Sequence, residues 1–420
     1  MAGADLSTLS NILKEYYLGP VAEQLNNTVL LLSRLEAKSE DLVGKRAYVP
    51  LHYGRSSGIG ARGENAALPA AGSQQYDKAV YDLKYLYGRV GVTGPSMAKT
   101  KNEAGAFLQA LKSELDGVRN DLKKDLARQI YGDGTGTIGE ADSVTDPDVV
   151  LTTSEPIRKG QFYVGMLLDV YTGSTKQNSS PLEVVGVDVA TATITLDDAS
   201  DVSAGDNLVR AGVVVTASSS EANTYSLSDE VDGLRRIVAD SSTPFGGIDP
   251  ASAVWWDNQR VQASGTGGTG GTYALTLEDI QKGLNLARIA GGNPTSVVTS
   301  LGVQREFYML LQDIVRYVEP DSGLSYGAGF KTLSYNGMPI IADIDAPYGH
   351  MYILDESTMK VFSDQDWHFL DADGLTLRQV TNYDRFEAIM ARYMNLGSNR
   401  RNNQVVVTDI AVDGAPDEGF

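Results

Sequence analysis

The sequence predicts an α+β chain that carries a small all-β insertion. Three observations predict it. A glycine- and arginine-rich extended segment, Tyr53 to Tyr76, lies between two strand-like stretches. One very long amphipathic helix follows it. Further along, runs of strands stand between helices instead of alternating with them one for one, which argues against a doubly wound sheet.

Length and composition bound the answer. With 420 residues, 42% of them hydrophobic, the chain can bury a sizeable core, and its length suggests two or three domains. Its 35 basic and 54 acidic residues leave a formal charge of -19. That balance favours solubility in crowded surroundings and works against a broad cationic groove for nucleic acid. There is no cysteine, so disulfides, thiolate metal sites and a cysteine nucleophile are excluded. The opening MAGADLSTLSN lacks a basic stretch followed by an apolar one, and no window approaches the roughly 18 apolar residues of a membrane span. The expectation is a soluble, cytosolic chain with no membrane partner.

The elements can be justified in order. Leu6, Leu9, Leu13 and Tyr16 recur at helical spacing, and Gly19-Pro20 supplies a stop. Around Val29-Leu30-Leu31-Leu32 the pattern fits either a second helix or an arm lying on a neighbour. Ala47 to Leu51 and Ala79 to Val92, rich in tyrosine and β-branched residues, read as strands flanking the glycine-rich tip. Each ordered residue of such a tip costs about 1 to 2 kcal/mol of conformational entropy, so the tip is expected to be mobile unless another subunit docks it. The long helix is bracketed by a capping box, Thr100 to Glu103, and by Gly132 at the place of a left-handed cap. Phe107, Leu108, Leu111, Leu115, Val118, Leu122, Leu126 and Ile130 form its stripe; Asp116/Arg119, Asp121/Lys124 and Asp125/Arg128 pair elsewhere on it.

From about residue 145 to 222, short strands separated by Gly, Asn, Asp and Ser clusters predict a compact barrel-like module. Beyond Leu227, helices are predicted near Leu277 to Ala290 and Leu301 to Val318. Strands are predicted at Pro339 to Ala342, Met351 to Leu354 and Lys360 to Phe362, with two long ones near Phe386 to Met394 and Gln404 to Ile410. Gly265 to Gly271 (GTGGTGG) reads as a flexible loop.

In this order the chain resembles the major capsid proteins of tailed phages with the Hong Kong 97 fold. The segments that carry the resemblance are RGENAALP (Arg62 to Pro69), LARQIYGDGTG (Leu126 to Gly136), MPIIADIDAP (Met338 to Pro347), MYILDESTMKVF (Met351 to Phe362) and DRFEAIMARYMNLGSNRRNNQVVVTDI (Asp384 to Ile410). The resemblance implies an N-terminal arm (1–46), an extended loop (47–92), a peripheral domain with a spine helix (93–144) and an inserted β module (145–222). An axial domain (223–375) and strands returning to the peripheral domain (376–420) complete it. It also implies a virion protein, assembled in the host cytoplasm into pentamers and hexamers of an icosahedral shell around double-stranded DNA. That DNA is enclosed without being read.

Some members cross-link subunits through a lysine in the extended loop; the tip from Tyr53 to Tyr76 has none, so covalent linkage is not expected. Many carry a cleaved scaffolding segment where this arm begins near Met1, so a separate scaffolding protein is expected. A portal and a decoration protein are the other partners the resemblance implies.

Signals for other chemistry are weak. Gly58 to Gly63 matches GxGxxG, but Glu64 to Pro69 follows it instead of the helix that would aim amides and dipole at a phosphate. His52, His350 and His368 lack metal-ligand spacing. Asp371-Ala372-Asp373-Gly374 lacks the further ligands of a calcium loop, and no GxSxG elbow marks a nucleophile. No catalytic residue, cofactor or metal site is therefore expected, and the protein reads as a shell subunit, not an enzyme.

The residues singled out are Arg55, Arg62 and Glu64 on the loop, with Arg400 and Arg401 near the end. They are candidates for inter-subunit contact, because planar guanidinium groups suit the acidic surface that this chain offers a neighbour. Two alternatives stand: a cellular nanocompartment shell, and a soluble β-rich hydrolase using carboxylates such as Asp343 and Asp345.

Overall fold

In the computed structural model, which describes residues 30–36, 40–41, 46–95, 104–215, 228–266, 271–312, 333–371 and 377–412, the chain forms four sheets and one long helix, with shorter helices between the strands. The expected helix over Leu6 to Tyr16, the Thr100 to Glu103 capping box, the middle of the GTGGTGG loop and most of the Asp371 to Gly374 turn lie outside the described residues.

The leucine run forms the helix Leu30–Glu36. Leu31, Leu32 and Leu35 share one face and are buried in the chain's own central core, so of the two expected readings this piece takes the helical one and docks on its own subunit. Arg34 ties it to the buried Glu356 at 2.7 Å.

The long helix runs Ala104–Tyr131, 28 residues or about 42 Å. Burial grows along it. Leu115, Val118 and Leu122 are half-buried, whereas Leu126, Ile130 and Tyr131 are sealed in the core. Of the three expected ion pairs, Asp125/Arg128 is the one the structure shows, at 3.2 Å.

The helix rests on the strand Lys84–Thr93. There a Cβ on Gly88 would come 2.5 Å from Leu122 and 2.8 Å from Val118, so the side chain is missing where the helix approaches closest. The sequence places a left-handed cap at Gly132. The structure moves it to Gly134 (φ 75°) and Gly136 (φ 81°), because Gly132 N–H still donates to Gln129 O at 3.0 Å and Asp133 then turns the chain by accepting from Thr135 N at 2.9 Å.

That turn launches the β module. Its first strand, Thr137–Thr145, precedes the border expected at 145. It belongs to the module because it pairs with both Asp148–Leu151 and Asn207–Arg210. The ring continues through Thr193–Leu196, Leu182–Asp188 and Leu167–Thr172, and Asn207–Arg210 pairs with the last of these to close it. Leu168, Val170, Val184, Ile194 and Leu208 are wholly buried inside it.

A six-stranded mixed sheet has the order Gln259–Gln262, Val405–Thr408, Met351–Leu354, Ser296–Thr299, Met338–Ala342, Leu333–Tyr335. The helices Leu277–Ile289 and Leu301–Gln312 pack on it. Two sequence expectations are corrected here. Val405–Thr408, expected in a long strand returning to the peripheral domain, is short and central in this sheet, since Val405, Val406 and Val407 are buried on both faces. Conversely, Met359–Phe369 leaves the 223–375 region and pairs with the 14-residue strand Arg385–Ser398.

On its other side that long strand pairs with Lys84–Thr93. The stretch Ala79 to Val92, expected as one strand, is two: Gln75–Asp82 pairs with Arg46–Gly54, and the chain changes sheets at Leu83.

Candidate inter-subunit surface

Arg46–Gly54 and Gln75–Asp82 make a two-stranded ribbon that joins no other sheet. Its foot is built into the core. Ala79 and Tyr81 are buried, and the Tyr81 hydroxyl donates to Ser398 O at 2.6 Å while accepting from Ser398 N at 3.2 Å. The ring lies 5.3 Å from both Phe245 and Phe362, and burial raises the phenol's pKa, keeping it neutral. Val80 N–H donates to Gly246 O at 2.9 Å, and Arg46 pairs with Asp82 across the foot.

Higher up, period-two alternation separates two faces. Ala47, Val49 and Leu51 turn to the core; Tyr48, Pro50 and His52 are exposed. Lys78 sits 5.3 Å over the Tyr48 ring, and His52 lies 5.0 Å from Tyr76. The last anchor is Tyr53, stacked on Trp255 at 4.5 Å and 6°. Sequence reasoning did not single out Trp255. The signal was the pair Trp255-Trp256, of which Trp256 is buried and Trp255 remains as a surface platform.

Beyond this stack the chain stops burying anything. No residue from Arg55 to Lys78 is buried; Ile59 is 76% and Leu68 is 85% exposed. Local bonds shape the tip, from Gly58 N to Ser56 Oγ at 3.1 Å and from Ala66 N to Gly63 O at 3.1 Å. Arg55, Arg62 and Glu64 stand on it, exposed and without an ion-pair partner among the described residues. Carboxylates for such arginines are concentrated in the β module, whose span 137–215 holds twelve acidic and four basic side chains.

Arg400 and Arg401 are placed otherwise. Arg400 donates to Gly291 O at 3.1 Å and Ala290 O at 3.3 Å, closing the end of the helix Leu277–Ile289. Arg401 is wholly buried, donating to Ile237 O (2.8 Å), Thr243 O (2.7 Å) and Arg236 O (3.2 Å) beneath the Phe245 ring. Burial pulls its pKa down to about 10, still charged at neutral pH. The structure therefore gives Arg401 a role inside its own chain and no access to a neighbour.

Asp343 and Asp345 do meet. Asp343 accepts from the Tyr131 hydroxyl at 2.9 Å and from Asp345 N at 3.1 Å, which makes the pair part of the joint at the end of the long helix. The three histidines do not gather, and among the described residues no cluster of three metal-binding side chains occurs.

No family model matches the chain, and no curated protein matches its sequence. Among solved structures it is similar to the capsid asymmetric unit of cyanophage A-1(L), with a TM-score of 0.58, 13% identity, and coverage of 97% of this chain and 99% of that one. It is also similar to a structure from Mycobacterium phage Bobi (TM-score 0.48, 11% identity, 97% and 99% covered) and to the holo-SrpI encapsulin complex of Synechococcus elongatus (0.48, 9%, 99% and 98%). The first likeness shows the fold: this chain has the α+β capsid fold of the Hong Kong 97 type.

Proposed function

We propose that this chain is the major capsid protein of a tailed phage, a structural subunit whose pentamers and hexamers close into an icosahedral shell around double-stranded DNA. In this reading 1–46 is the arm, 47–92 the extended loop and the helix Ala104–Tyr131 the spine. The six-stranded sheet with its two helices would be the axial domain, and the barrel an inserted module. The observation that carries the reading is the ribbon tip, left unburied by its own subunit, with exposed Ile59 and Leu68 and with Arg55, Arg62 and Glu64 unpaired among the described residues. On a neighbour, those groups gain buried area and carboxylate partners. A modest free energy per contact becomes large when repeated around closed symmetry.

Scaffolding, portal and decoration proteins are the partners proposed. Electron microscopy of the protein expressed alone and with neighbouring phage gene products tests the assignment. Shells tens of nanometres across that take up DNA are expected; a monomer under every condition would overturn the shell, and shells filled with a protein cargo would reassign it to a cellular compartment.

A further inference from the structure

The barrel meets the rest of the chain at a joint centred on Asp345. Three elements converge there: the end of the long helix, the barrel's short helix Glu155–Arg158 with Lys159, and the loop Asp343 to Tyr348. The Lys159 ammonium is buried. It donates to Ala346 O at 2.7 Å, Asp345 O at 3.1 Å and Glu155 Oε1 at 2.7 Å, and it lies 4.8 Å over the Tyr348 ring. Glu155 Oε1 accepts from Tyr348 N at 3.4 Å.

Cavities of about 510 and 540 Å³ flank this seam, and Asp345, Arg128 and Gln161 line both. The barrel is therefore held over a cleft and not packed flat. Its entry carries Gly134 and Gly136 and its exit Gly212 (φ 90°), all in left-handed backbone.

Asp345 is partly buried, and its carboxylate accepts no hydrogen bond among the described residues. Facing it are Asp343 from its own loop and Lys124, Asp125, Arg128 and Tyr131 from the long helix. The barrel adds Lys159, Glu155 and Arg210, and Arg235 stands across the first cavity.

We propose that this joint is a proton-sensitive clamp: the barrel seats firmly on the core when Asp345 is protonated and loosens when Asp345 ionises. Burial first, then the charge of Asp343, pushes the seated carboxyl up to about 6, against the pull of Lys159, Lys124 and Arg128. With the barrel lifted, solvent reaches the carboxyl and lowers it, although Asp343 stays beside it on the same loop. The seated state thus binds the proton more tightly, so seating is strongest below the lower value and is lost as pH rises through the higher one. Between pH 7.5 and pH 5.0 the linkage amounts to at most about tenfold in the seating equilibrium.

Hydrogen exchange read by mass spectrometry on the full chain at pH 5.0 and 7.5, corrected for intrinsic exchange, tests this. Peptides covering 155–161 and 343–348 are expected to gain severalfold, up to about tenfold, protection at pH 5.0 while the barrel interior strand Leu167–Thr172 stays unchanged. Asp345→Asn, uncharged and of the same shape, is expected to hold the high protection at both pH values. His350 lies on the same loop and bonds Asp240 at 3.1 Å; that variant retains it, so its titration is separated from the Asp345 effect. Wild-type joint peptides indifferent to pH, or a variant as pH-dependent as wild type, would overturn the clamp.

Discussion

The barrel and the ribbon are made of the same kind of sequence, short β-rich stretches punctuated by glycine, and end in opposite states. In the barrel every edge of the six-strand ring is paired, and each inward residue meets another across a shared interior. The ribbon has two strands, with no third strand on either edge among the described residues, and its core-facing residues stop at the level of Leu51. Strand propensity is thus common to both, while closure belongs to one. A closed ring meets its ordering entropy from its own burial; the tip beyond Tyr53 has to be held by something else.

The sharpest way to break the comparison is to delete one large aliphatic side chain from each region. Leu168→Ala removes a fully buried barrel residue and is expected to destabilise the barrel by about 3 kcal/mol, through lost transfer energy and the cavity left behind. Leu68→Ala, on the tip, is expected to stay within about 0.5 kcal/mol of wild type. Denaturant unfolding of the unassembled chain measures both. Equal costs would mean that the ribbon is packed by its own subunit.

Arg401→Met sharpens the contrast between arginines, with an expected loss of about 2 to 4 kcal/mol. The apolar replacement fills much of the volume but leaves the carbonyls of Ile237, Thr243 and Arg236 without their shared donor. Arg62→Met, by the same unfolding measurement, should change stability by less than about 0.5 kcal/mol. Two arginines that look alike in the sequence are thereby assigned to different tasks.

That last point also marks what was legible beforehand. The long helix, the helices Leu277–Ile289 and Leu301–Gln312, the β module and the glycine-rich tip could all be read, because each rests on a local signal: 3.6-residue periodicity, turn residues at strand ends, or the absence of any apolar pattern. Sheet membership could not. Nothing local distinguishes Val405–Thr408, central in a six-stranded sheet, from a strand returning elsewhere, and nothing at Leu83 announces that the chain changes partners. The Arg400-Arg401 pair failed for the same reason. Adjacent residues on an irregular segment face opposite ways, and only tertiary structure tells which one is enclosed. Within the candidate surface, the tip was evident as an unpacked segment, but Trp255 as its last anchor was not, since the stack joins residues about 200 positions apart.

Trp255→Ala tests where the self-sufficient part of the ribbon ends. The lost Tyr53 stack is expected to cost about 1 kcal/mol, felt locally because Trp255 is half-exposed and Trp256 keeps its own bond to Phe245 O at 2.9 Å. Limited proteolysis of the unassembled chain should then cut between Arg55 and Gln74 severalfold faster, with global unfolding unchanged. An unchanged rate would place the boundary lower, at Tyr81.

The smallest effect on the isolated chain should be the most visible in the assembly. Arg55→Ala and Arg62→Ala together remove two exposed charges without a partner among the described residues, so the monomer has almost nothing to lose. Between subunits the same groups would face the carboxylate-rich surface of a neighbour, at a value of about 1 kcal/mol or less per pair that salt screens. Repetition around a closed shell multiplies that increment by the number of copies, which turns a marginal pair into a shift of the assembly threshold. Light scattering against protein concentration, at low and high salt, should show wild type assembling at lower concentration than the double variant, with the gap shrinking as salt rises. A gap that persists at high salt would mean that the tip holds its neighbour through Ile59 and Leu68, and that its arginines are solvated bystanders.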